Sequence, residues 1–158
     1  MAKSNPGNSI TPSGLLLASL DEAFEKRSWH GPNLRGSLRG VTAAKAARRP
    51  GKGRHNIWEL VLHAAYWKYV VWRRIYGEKR GKFAYPGSNW FPRPDGLVSE
   101  KRWQADVALL VEQHQQLRCV VESLAPEELT PRILFMIRGA AAHDLYHAGQ
   151  IGLLKKLV

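Results

Sequence analysis

Apolar side chains recur at three- and four-residue intervals in four stretches of the chain, and no stretch alternates apolar and polar positions as a strand requires. In the first stretch Leu16, Leu17, Leu20, Ala23, Phe24 and Arg27 fall at helical spacing and predict a helix from about Gly14 to Ser28. Thr11-Pro12-Ser13 reads as its start, with Thr11 or Ser13 as cap, and Trp29-His30-Gly31-Pro32 as its stop. A second helix is expected over Ile57–Tyr76, capped by Asn56 and closed by Gly77. A third starts at Ser99-Glu100 and reaches Leu124, where Ala125-Pro126 breaks it. The fourth occupies Pro131–Leu157, with Pro131 in its first turn. The connection between helices one and two is long and rich in Gly, Arg and Lys, with a short helical piece at Val41–Ala47. The connection over residues 77–98 holds four glycines and three prolines and reads as a loop. The fold class is therefore all-α, a four-helix bundle with long first and second connections and a short third. Residues 1–12 read as a flexible tail and 13–158 as one domain.

Charge changes this picture. Lys and Arg total 24 against 13 acidic residues, and the excess is concentrated: from Lys26 to Trp58 there are nine basic residues and no acidic one. Such a field favours anionic partners, whether a phosphate backbone, a membrane surface or a small carboxylate; a solvated basic loop gives the same composition. No apolar run approaches the roughly 20 residues of a membrane span. The opening residues lack the hydrophobic core of a secretion signal, and the single cysteine, Cys119, has no internal disulfide partner. The expected compartment is the cytoplasm.

Candidate chemistry lies with the histidines. His143 and His147 are four residues apart, about one helical turn, so their imidazoles leave one face of the fourth helix. That face continues through Met136, Ala140, Gln150, Ile151 and Leu154 and is expected to turn inward. On the second helix His63 sits in the apolar row Leu60, His63, Trp67, Val70. Three inward imidazoles must be satisfied, and two helical neighbours plus a third ring from another helix suit one metal ion at about 2.0–2.1 Å. His114 lies on the inward seam of the third helix and reads as a satisfied core residue, a supporting residue or a fourth ligand. His30 is expected either at the mouth of the site or in a structural turn, and His55 is left structural. Asp144 is a candidate acceptor for an imidazole, although it points about 100° from His143 around the helix, which suits an ion pair equally. Gln150, one turn beyond His147, is a candidate partner of a metal-bound water or a bridge between helices. Cys119 lies off the inward seam and is read as structural.

The stretch HDLYHAGQI over residues 143–151 resembles the C-terminal motif of the DinB-like superfamily, and HNIWELVLHAAYWKYVVWRRIYG resembles the corresponding second-helix segment. Ser28-Trp29-His30-Gly31-Pro32 and the third-helix segments around Trp103 and Gln113-His114-Gln115-Gln116-Leu117 are similar to family patterns as well. The resemblance implies an up-down-down-up bundle, a divalent metal held by His63, His143 and His147, and frequent homodimers. It also implies thiol-dependent chemistry in some members, including mycothiol-dependent isomerases and bacillithiol transferases.

No phosphate-binding loop, dinucleotide fingerprint or Ser-His-Asp arrangement is present, and the absence of a Glu-x-x-His pair points to a single metal. Zinc and nickel suit imidazole ligands. The leading expectation is a mononuclear metalloenzyme using a low-molecular-weight thiol to attack a small electrophile, with hydrolysis by activated water as an alternative. Arg35 and Arg39, with Lys45, Arg48 and Arg49, are expected to hold an anionic thiol or substrate. The competing class is a non-catalytic, metal-stabilised bundle whose basic face binds nucleic acid. Surplus apolar residues, among them Trp58, Val71, Trp72 and Val111, lead to the expectation of a homodimer.

Overall fold

The computed structural model describes residues 11–79 and 81–158. Among them are six α-helices and no strand: α1 (Pro12–Phe24), α2 (Leu34–Ser37), α3 (Ala43–Ala47), α4 (Ile57–Ile75), α5 (Glu100–Ser123) and α6 (Pro131–Leu157). Helices α1, α4, α5 and α6 form the bundle, and their contacts set its direction. Phe24 stacks on His114 and Asp21 binds Arg118, so α1 and α5 are antiparallel. Trp58 reaches Asp106 and Lys68 reaches His114, so α4 and α5 are parallel. His63 meets His143 and His147 while Val71 lies near Met136, so α6 opposes α4. The order is up-down-down-up, as the resemblance implies. Among the described residues no helix is long and apolar enough to cross a membrane.

Local signals explain most boundaries. Asn56 accepts from the Glu59 N–H while the Glu59 carboxylate accepts from the Asn56 N–H, a closed capping box at the head of α4. Thr130 caps α6 ahead of Pro131, and Thr11, not Ser13, caps α1. Thus Thr11 and Pro12 belong to the helix start and not to the tail expected over residues 1–12, the rest of which lies outside the described residues.

Helix α1 ends at Phe24, short of the expected Ser28, because its free carbonyls find other partners: Lys26 N–H bonds the Asp21 carbonyl and Ser28 Oγ donates to that of Glu22. The short helix α2, capped by Asn33, was not expected; four residues are too few to show a period.

The two long connections are anchored, and both matter for the site. Buried Glu59 receives Arg49 in a bidentate ion pair and His55 Nδ1 at 2.9 Å, which fixes the first connection. It also accepts from the Arg93 N–H at 3.1 Å in the second connection. Burial pushes the Glu59 carboxyl up, but the bonds from Arg49, His55 and Arg93 outweigh it and hold it below the ordinary range. Buried Asp106 accepts from Trp58 Nε1, Tyr85 Oη and Arg93 Nε, tying the 77–98 loop to α5. Trp58 is consequently a core residue, 1% exposed, and cannot serve the intersubunit surface expected of it; Val71, Trp72 and Val111 are half-buried.

Gly139 is exposed within α6, and a Cβ there would meet nothing within 4 Å. Gly139→Ala is therefore expected to stabilise the fold by about 1 kcal/mol, read from the urea unfolding midpoint. A lowered midpoint would show that the position carries a constraint beyond helix propensity.

Candidate metal centre

His63 on α4 and His143 and His147 on α6 meet in the bundle as the sequence predicts. Their ligating nitrogens all lie within 4.8 Å of one another. His143 Nε2 is 3.2 Å from His63 Nε2 and 2.9 Å from His147 Nε2. Nitrogens bound to one ion at about 2.0–2.1 Å with tetrahedral angles stand roughly 3.3 Å apart, so the cluster is near the spacing an ion needs. Two rings are also held from behind. His63 Nδ1 lies 2.8 Å from the Asn89 carbonyl, and His147 Nδ1 lies 2.6 Å from Gln150 Oε1. Each oxygen accepts the Nδ1 proton, which leaves the Nε2 lone pair aimed at the centre. Burial pushes the His63 imidazole down to about 4. Burial, aided by the neighbouring rings, pushes His143 down to about 3, and His147 moves in the same direction. The rings are neutral at pH 7, the state that ligates a metal.

Gln150 thus positions a ring directly on its own helix, a role different from the water partner or inter-helix bridge expected of it. Its partner in that task, the Asn89 carbonyl, was not anticipated. Asn89 has a left-handed backbone (φ 65), a conformation asparagine tolerates, and its side chain accepts from Trp67 Nε1 at 2.9 Å. The next residue, Trp90, stacks on His63 at 3.9 Å and on His55 at 3.6 Å, so the loop lays an indole between two imidazoles. The only forward signal was a Ser-Asn-Trp turn in a loop rich in glycine.

The remaining candidates separate. Asp144 is fully buried and pairs with Lys68 Nζ at 2.5 Å, an inter-helix ion pair away from the ring nitrogens. His114 is buried beside it, 3.3 Å from Lys68 Nζ and stacked on Phe24 at 3.8 Å, outside the three-histidine cluster. His30 is exposed and forms no part of the centre. Cys119 is exposed, off the seam as expected.

A cavity of about 720 Å³ opens onto all three histidines. It is walled by Leu60, Trp90, Tyr146, Leu153, Leu154 and Leu157, with Pro50, Arg54 and His55 supplied by the basic connection. Arg35 and Arg39, expected to hold an anionic thiol or substrate, do not line this cavity but a separate one with Glu25 and Lys26, and Arg35 pairs with Glu25 at 2.6 Å. The correction is physical: α2 and the turn after it place those two arginines beside Glu25 and Lys26 at the end of α1, whereas Arg54 precedes α4 and lines the cleft.

A helical bundle with three preset imidazoles at the floor of an open cleft defines a candidate metal site. The model of the DinB superfamily matches residues 28–151, and the chain belongs to that superfamily. No curated protein and no solved structure matches the chain.

Proposed function

We propose that the protein is a mononuclear enzyme that uses a divalent metal, zinc or nickel, to activate a low-molecular-weight thiol against a small electrophile. The observation that carries this reading is the convergence of the three Nε2 atoms at the floor of the cleft, with two of the rings fixed through Nδ1. An ion held by three neutral ligands keeps its full charge and an open position, where a thiol or water becomes acidic. The protein's own groups support the chemistry around it. His55, held through Nδ1 by Glu59 and stacked on Trp90, lines the same cleft. Trp90, stacked on His63, and buried Leu60 and Leu154 give the cleft apolar walls beside the histidines. The thiol reading draws on the family resemblance and on the apolar walls; water activation at the same centre is the alternative.

The test is a screen of thiols with electrophiles on protein of known metal content. Thiol-dependent turnover that disappears on chelation and returns with zinc or nickel is expected. Metal-dependent hydrolysis without thiol would move the assignment to a hydrolase. DNA binding with a steep salt dependence, indifferent to chelation and unaccompanied by turnover, would replace it with a binding module.

A further inference from the structure

The cleft is chemically asymmetric. Its inner end is the histidine cluster. Its flank is apolar, and Leu153 and Leu157 stay 59% and 62% exposed along it, large side chains that nothing in the fold covers. Between His143 and Leu157 the α6 wall runs about 21 Å, at about 1.5 Å per residue. Because α4 and α6 are antiparallel, the start of α4 faces the end of α6, and the residues just before α4 stand at the outer end of the cleft. Arg54 is there. No aspartate or glutamate lines the cavity, and the nearby carboxylate of Glu59 is already engaged by Arg49 and His55. Among the described residues no side chain pairs with the Arg54 guanidinium; its carbonyl, by contrast, is used, accepting from Arg49. The volume falls in the range that encloses a small organic ligand.

We propose that the substrate of this cleft is an amphipathic anion, its carboxylate or comparable acidic group held by Arg54 and its apolar body lying along Leu153, Leu154 and Leu157. This rests on the reading of the histidine cluster as the reacting end, which places the reacting atom of the substrate several bonds from its charge. Arginine suits the outer position because its fork grips a carboxylate with two parallel hydrogen bonds in a place open to solvent. The apolar body gains by covering leucines that otherwise face water.

Octanoate, octanol and acetate serve as probes, with calorimetric titration of the full chain and metal content measured on the same samples. Wild-type protein is expected to bind octanoate at least about tenfold more tightly than octanol or acetate. Arg54→Gln should bring octanoate down to the octanol level and leave octanol unchanged. Lys52→Gln removes the same charge from an exposed neighbour that does not line the cleft, and should behave as wild type. Arg54 is exposed, so the substitution leaves the core intact. Unchanged octanoate affinity in Arg54→Gln, an equal loss in Lys52→Gln, or acetate binding as tightly as octanoate would each overturn the proposal. Arg54-dependent octanoate binding by protein that holds no metal would keep this subsite and remove the metal reading, so the two fail separately.

Discussion

Replacing His143 or His147 with alanine is expected to reduce bound divalent metal from about one ion per chain to a trace, read by mass spectrometry of the purified protein. The geometry gives the reason: each ring supplies one of three nitrogens already within 4.8 Å of one another, and no other His, Cys, Asp or Glu among the described residues joins the group. With one ring gone, two ligands and solvent would have to hold the ion. Gln150→Ala provides a graded companion. It leaves the ligands in place but frees His147 Nδ1, and should weaken metal affinity by roughly 10–100-fold. His143 is only half-buried, so its loss should leave helicity by circular dichroism unchanged and separate ligation from folding. Full metal occupancy in both alanine variants would sink the assignment.

Lys68→Ala is expected to cost about 3–5 kcal/mol of stability, a large part of the roughly 5–15 kcal/mol that holds a domain folded. Lys68 and Asp144 are both at or below 2% exposure, and each is the other's charge partner. Lys68 also donates toward His114 Nδ1. Burial first, and the Lys68 charge second, push the His114 imidazole down to about 3, so it stays a neutral acceptor. Removing the lysine leaves a carboxylate in the core with nothing to offset its desolvation. The double change Lys68→Met with Asp144→Leu removes both charges and should restore most of the loss. Urea unfolding of the three chains decides it. A single variant within about 1 kcal/mol of wild type would show that the pair is not held as described.

Regular elements were legible where the chain carries its own punctuation. Asn56 with Glu59, Thr130 with Pro131, and Gly77 mark ends that the structure keeps to within a residue. The end of α1 was misread because Lys26 and Ser28 cap it through bonds that leave no periodic trace, whereas Gly31-Pro32 is conspicuous and lies beyond. The histidine cluster was legible because spacing on one helix fixes direction. Asp144 shows what the offset of about 100° means: α6 packs against both α1 and α4, so the residue beside His143 is also core and makes an inter-helix ion pair, one of the two roles its spacing allowed. Arg54 and Trp90 could not be found from spacing at all. Nine cations in an aperiodic segment look alike until the chain folds, and a loop tryptophan declares its partner only in three dimensions.

The Glu59 carboxylate gathers both long connections, one through Arg49 and His55 and the other through the Arg93 N–H, while the three clustered histidines stand on α4 and α6. The centre and its surroundings are thus carried by different kinds of chain. The helices form a chassis that carries the histidines; the connections are bodywork clipped to it at two carboxylates, Glu59 and Asp106. Arg54 touches none of the three histidines and can be rewritten without disturbing them, whereas Trp90 stacks on His63 and cannot. A redesign for a new substrate should begin at Arg54 and at Leu153 and Leu157, and leave Glu59, Asn89 and Trp90 alone.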